Sequence, residues 1–306
     1  MKIELGRINQ AVERDPASFI RDTNAAYLEN LRKIATDIAD HRDQRPIILL
    51  SGPSGSGKTT SALMIEKMLD EQGIETHTLS LDNYFSPFND EERKLFAEGK
   101  LDLESPKRID SDFLTSQLRS IYNCEPIELP IYDFKDSKRL KSGKILHRKP
   151  GELVILEGIH ALNPDIIDFP DENTAKIYVS VRTRISKDGE ILHPSKIRLM
   201  RRLIRDLLFR KRSFPETLHM FGSVEAGENK YIMPYKHRST YDVDTFMAYE
   251  ICAYRPFLIE DFRLLTESSL VKEMLDFLEQ TATLMQEQIT PDSLVCEFIG
   301  NGQFEY

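Results

Sequence analysis

Cysteine is scarce in this chain: the three present, Cys124, Cys252 and Cys296, lie far apart and form no CxxC pair. That spacing argues against both a disulfide framework and a zinc site and makes a reducing cytoplasm the simplest home. Long apolar runs are also missing. No stretch approaches the ~18 apolar residues that a membrane-spanning helix needs, and the opening MKIELGRINQAVERD has no apolar core of signal-peptide length. Positive charge is in deficit, with 50 acidic against 41 basic residues and a net charge of −9. General affinity for nucleic-acid backbones or anionic membranes is thereby disfavoured, and any bound anion needs a local site. Internal repeats, low-complexity tracts and linker-like breaks in composition are absent as well.

What is present reads as alternating elements. Ile20, Tyr27, Leu28, Leu31, Ile34 and Ile38 recur at helical spacing, and Asp15 before Pro16 supplies a cap with proline in the first turn. The first 45 residues therefore read as a helical N-terminal extension. From Pro46 the texture changes to the apolar run IILLS, a glycine-rich turn, and an amphipathic helix over 58–72 that Gly73 ends. Strands are expected at 76–81, around 127–134, at 153–156 and at 177–181. Helices are expected near 111–122 and over 195–212, and the last fifty residues read as mainly helical. Strand and helix in alternation predict an α/β fold, a Rossmann-like parallel sheet covered by helices. The expected division is a P-loop domain over 46–257, with a lid at about 195–215, and helical additions over 1–45 and 258–306.

Gly52, Pro53, Ser54, Gly55, Ser56, Gly57, Lys58 and Thr59, followed by Thr60, match GxxxxGK[ST] between a predicted strand and helix. Glycines allow the backbone to curl so that successive N–H groups face phosphates. The helix N-terminus adds its dipole, Lys58 can reach the outer phosphates, and the Thr59 hydroxyl can ligate Mg²⁺. The pattern points to a nucleotide and leaves the reaction open. Asp82 follows the strand ending in Leu79–Leu81 and precedes Asn83 and Tyr84, at the strand end where ligands of open α/β sheets bind. It can accept a proton from an attacking alcohol, or hold Mg²⁺ through water, or simply form a turn. Glu157 ends the apolar run Leu153–Leu156, as acids of Walker B strands do, and suits a magnesium-bound water. Arg198, Arg201, Arg202, Arg205, Arg210 and Arg212 crowd one helical segment. A lid carrying them could close on phosphates, while about half would be expected to pair with ordinary surface acids.

The stretches GPSGSGKTT, SLDNYF, DLESPKRID, ELPIYDFK, LVILEGIHALNP, RLMRRLIRDLLFRKR, KYIMPY and DTFMAYE together resemble the uridine kinase and phosphoribulokinase family, most nearly its bacterial uridine kinase-like nucleoside kinases. The resemblance implies a P-loop kinase that uses ATP and Mg²⁺ and phosphorylates the 5′-hydroxyl of a pyrimidine nucleoside. On that pattern Asp82 stands at the general base and Glu157 at the magnesium-associated acid. Lys58, Arg205, Arg210 and Arg212 meet phosphates, and Tyr84, Asp102, Glu104, Tyr132, Arg139 and Arg202 fall in or near segments lining the nucleoside pocket. Two departures stand out. The family's histidine shortly after YDF is replaced by Lys135, Asp136, Ser137 and Lys138, and the lid reads Arg210-Lys211-Arg212 where many relatives carry Arg-Gly. A phosphorylated sugar or another small alcohol remains an alternative acceptor. A nucleotide-sensing module is the reading from a different class, although no guanine-reading NKxD motif is present. The terminal helices, and the segment PDSLVCEFIG, are candidates for packing or self-association.

Overall fold

The computed structural model describes residues 1–305. In chain order the elements are β1 (Lys2–Glu4), α1 (Leu5–Arg14), α2 (Pro16–Asp40), β2 (Ile47–Ser51), α3 (Lys58–Asp70), β3 (Thr76–Ser80), α4 (Asp90–Ala97), α5 (Ser111–Tyr122), β4 (Ile127–Asp133) and β5 (Lys138–Leu146). There follow β6 (Leu153–Glu157), β7 (Thr174–Ser180), β8 (Arg184–Lys187), β9 (Glu190–Leu192), α6 (Pro194–Arg210), α7 (Phe214–Gly227), β10 (Tyr241–Asp244), α8 (Glu250–Leu264), α9 (Ser269–Leu278) and α10 (Cys296–Ile299).

Five strands form an all-parallel sheet in the order β10-β7-β2-β6-β3. The central strands are apolar nearly throughout because helices and loops cover both faces, as parallel sheets require. Alternate side chains serve opposite sides. Ile48, Leu50, Ile155, Ile177 and Val179 join a core with α2, α3, α6 and α8, while Ile47, Leu49, Val154, Leu156 and Tyr178 join another with α5. That alternation is the period-two geometry of a strand. β2 lies at the middle of the sheet, so the loop after it opens at the centre of the strands' carboxyl edge.

Helix boundaries follow local chemistry. Asp15 caps α2 by accepting from the Ser18 N–H at 3.0 Å, with Pro16 in the first turn. Asp110 does the same for α5 through the Phe113 N–H at 3.1 Å.

The termini differ from the helical reading. Residues 2–4 form β1, which pairs in parallel with β8; three extended residues too short to show a period are set by that distant partner. Residues 279–295 run largely as turns between α9 and α10, where threonines and Pro291 interrupt helix formation. Both ends are tied together: Asn24 Nδ2 donates to Thr290 Oγ1 at 3.0 Å, and the Tyr249 hydroxyl lies 2.6 Å from both Asn24 Oδ1 and Ser293 Oγ. One continuous core holds residues from Leu5 to Ile299. Among the described residues no helix is long and apolar enough to cross a membrane.

Candidate active site

The phosphate loop is shaped by close approaches. A Cβ on Gly52 would run into the Val179 carbonyl of β7, and Gly55 and Gly57 sit at φ +74° and +82°, in the left-handed region that favours glycine. Neighbouring elements then clamp the loop through its carbonyls. Thr245 Oγ1 donates to the Ser56 carbonyl at 2.7 Å, Arg201 to that of Gly55 at 3.2 Å and Arg198 to that of Ser54 at 3.1 Å, while Arg202 bonds Ser54 Oγ. With its carbonyls engaged behind it, the loop is set to present N–H groups and the start of α3 to the cleft.

The cleft has a volume of about 590 Å³, within the range of small-molecule sites. Of the residues singled out in the sequence, Ser54, Gly55, Gly57, Lys58, Thr59, Asp82, Asp102, Glu104, Glu157, Arg202, Arg205, Arg210 and Arg212 all line it. Gly52, Pro53, Ser56 and Thr60 are buried behind that lining and support the loop.

Three others serve packing and do not reach the cleft. The Tyr84 hydroxyl donates to Gln117 Oε1 at 2.8 Å in the core beneath α5. Tyr132 is buried, its hydroxyl 2.7 Å from Ser137 Oγ, and its ring backs Phe85 and Phe134 at centroid distances of 5.6 and 5.0 Å. Arg139 pairs with Asp110 at 2.8 Å and lies over the Phe113 ring. Both tyrosine hydroxyls would otherwise be buried without partners, which is costly, so the fold turns them inward to acceptors. The aromatics that do line the cleft are Phe85, Phe96 and Phe134.

Charge is concentrated at the loop. Asp82 opens to solvent through the cleft mouth but is walled in by protein, and that desolvation pushes its pKa up against the pull of Lys58 and Arg210. Burial pushes Glu157 up to about 7, opposed chiefly by Lys58. It also lowers Lys58, opposed by Glu157, Asp82 and Glu297, and Glu104 is raised for the same reason. Arg202, desolvated and beside Arg205, is lowered to about 10. Such opposed shifts in one cleft are typical of functional sites.

The arginine-rich helix α6 divides into two halves. Arg198 and Arg201 are buried at its inner half, where Arg201 forms a two-pronged pair with Glu250 at 2.7 and 3.0 Å. Its outer end carries Arg205 and Arg210, and with Arg212 just beyond the helix they gather around the fully buried Asp206 at 2.9, 3.6 and 3.9 Å. Asp206 is the organising residue that the arginine count concealed; an acid spaced at i+4 before Arg210 was the available signal. Glu104 is held similarly. Its carbonyl accepts from His160 Nε2 at 2.9 Å, and Gly227 leaves room for its side chain. Burial drives His160 down to about 4, so the ring is neutral.

Among the described residues no cluster of three or more acids, histidines or cysteines could hold a metal by itself. The donors at the loop are nonetheless hard oxygens, the Thr59 hydroxyl and the Glu157 carboxylate. That set fits Mg²⁺, which keeps waters and takes its other ligands from phosphates.

A phosphate loop at the centre of a parallel sheet, facing an acid-lined cleft large enough for a second substrate, defines an ATP-dependent P-loop kinase. The chain belongs to the phosphoribulokinase / uridine kinase family, whose model matches residues 47–248. It is 30% identical to a uridine kinase from Lactobacillus johnsonii over 199 residues, which cover 64% of this chain and 84% of the relative. To a uridine kinase from Lactobacillus helveticus it is 32% identical over 196 residues, 63% of this chain and 83% of the relative. Among solved structures, the D-glycerate 3-kinase from Cryptococcus neoformans aligns with 73% of this chain and 89% of its own, at 16% identity and a TM-score of 0.42.

Proposed function

We propose that the protein transfers the γ-phosphate of ATP to the 5′-hydroxyl of uridine or cytidine, as a salvage enzyme of the cytoplasm. One observation carries the reading: the cleft that the phosphate loop faces is lined by acids together with aromatics. Asp82, Asp102 and Glu104 share it with Phe85, Phe96 and Phe134. Carboxylates suit ribose hydroxyls and repel an acceptor that already bears phosphate, whereas aromatic faces suit a base. The named uridine kinases support the same choice, and three free cysteines agree with a reducing compartment.

In this reading Asp82 accepts the proton of the attacking hydroxyl, a role that its raised pKa favours. Lys58 and the loop N–H groups hold the outer phosphates, and Arg205, Arg210 and Arg212, aligned by Asp206, stabilise charge on the group in transfer. Thr59 and Glu157 would hold Mg²⁺, which supplies neutralising charge on the phosphates when bound. Residues 46–257 form the catalytic unit, with 1–45 and 258–305 packed against it.

The test is ADP release from MgATP against uridine, cytidine, other nucleosides, ribulose 5-phosphate and pantothenate. Stimulation by uridine or cytidine alone is expected. Stimulation only by a phosphorylated sugar would overturn the acceptor, and none at all would favour a sensor.

A further inference from the structure

The family match ends at residue 248, yet a residue well beyond it reaches the phosphate loop. Glu297, in the single turn of α10, lines the cleft beside Lys58, Thr59 and Glu157. Its Oε2 accepts a hydrogen bond from the Thr60 backbone N–H at 3.3 Å and a second from Thr60 Oγ1. Thr60 is the third residue of α3, so its N–H is one of the helix-start donors that have no partner within the helix. In a phosphate loop those donors are the ones that cradle the α- and β-phosphates. A carboxylate of this chain therefore sits on a donor that the nucleotide's phosphates require. It also attracts Lys58, the other group on which they depend.

The seat is built into the core. Leu294, Val295, Phe298 and Ile299 around Glu297 are buried. Leu294 covers Gly57 so closely that a Cβ there would lie 2.8 Å from Leu294 Cδ1, and the Arg201 guanidinium stands 5.0 Å from the centre of the Phe298 ring. Gln286 Nε2 donates to the Ile299 carbonyl at 2.6 Å. The backbone of α10 cannot leave without opening this packing. The Glu297 side chain, only partly buried, has the cleft to turn into.

We propose that Glu297 is an intramolecular stand-in for a donor phosphate, a carboxylate that holds the start of α3 before the nucleotide arrives and lowers donor affinity by competing for Thr60 and Lys58. The proposal rests on the reading of residues 52–60 as the ATP site. A nucleotide phosphate entering the loop displaces the carboxylate into the cleft or meets its charge at close range, and either outcome weakens binding.

The experiment is calorimetric titration of ADP, and separately of inorganic tripolyphosphate, into the full-length protein and its Glu297→Gln and Glu297→Ala variants. Glutamine keeps the shape of the side chain and removes its charge; alanine removes the acceptor as well. Both variants should bind ADP at least about fivefold more tightly than the unaltered protein, the lower end of ordinary coupling between sites, and tripolyphosphate should tighten in parallel. Equal or weaker ADP binding by both variants overturns the proposal and leaves Glu297 a packing residue, with the ATP site intact. Tightening for ADP without tripolyphosphate also overturns it, because the change would then lie at the base. Failure of the unaltered protein and of both variants to bind ADP at all removes the ATP-site reading and this inference with it.

Discussion

Replacing Arg201 with methionine tests whether the inner arginines of α6 hold the fold rather than the phosphates. Arg201 has no solvent exposure; its Nε and Nη2 reach Glu250 at 2.7 and 3.0 Å, Nη2 also reaches the Thr245 carbonyl at 2.7 Å, and Nη1 the Gly55 carbonyl at 3.2 Å. Methionine fills much of the volume, so the cavity contribution is small. What remains is a fully buried Glu250 carboxylate without its cation, which typically costs about 3–5 kcal/mol. The loss should appear as a lower urea midpoint with an unchanged slope. Its sign with pH follows from Glu250, whose pKa burial already raises despite Arg201. Without the cation it rises further above the unfolded value of about 4.3, so the native variant binds a proton that the unfolded chain releases. The deficit should therefore be smallest near pH 4, where only the loss of donors to the Thr245 and Gly55 carbonyls remains, and grow as pH rises through the folded pKa. In the double variant with Glu250→Gln much of the loss at pH 8 should return. A deficit under about 1 kcal/mol, or one that does not change between pH 5 and pH 8, would refute the reasoning.

Asp82→Asn should leave ADP binding nearly unchanged while reducing turnover at least about a hundredfold; unchanged turnover in steady-state assay removes Asp82 from the mechanism. Glu157, raised by burial to about 7, opposes folding of the ligand-free protein once it ionises. Its raised folded pKa gives a contribution present below the unfolded value and lost as pH rises through 7. Glu157→Gln in EDTA should thus raise stability at pH 8, by up to ~3 kcal/mol, and change it little at pH 4; denaturant midpoints at the two values decide. Asp206→Asn removes the charge that gathers Arg205, Arg210 and Arg212. A fall of about tenfold or more in kcat/KM for ATP is expected, and wild-type kinetics would show that the arginines need no such anchor.

Local sequence determined the parts whose causes are local. IILLS and LVIL are short, apolar on both faces and bounded by turn signals, a pattern that suits strands of a covered sheet. The glycines at 55 and 57 announce positive φ, and an acid at the end of each of two strands falls on the carboxyl edge. Asp15-Pro16 and Asp110 mark helix starts with their own side chains. The arginines show where this legibility stops. Arg198, Arg201, Arg205 and Arg212 look alike in a periodic pattern, and only the packing of α6 against the loop, α8 and Phe298 separates those that hold carbonyls from those that face the cleft. The tyrosines were undecidable for the same reason, because a hydroxyl turns toward whichever acceptor the fold brings near, Gln117 for Tyr84 and Ser137 for Tyr132. Glu297 lies furthest from any sequence signal. Its contact with Thr60 joins positions 237 apart in the chain, and no periodicity or motif spans such a separation; the closing of the C-terminal turn onto the start of α3 exists only once the core between them has formed.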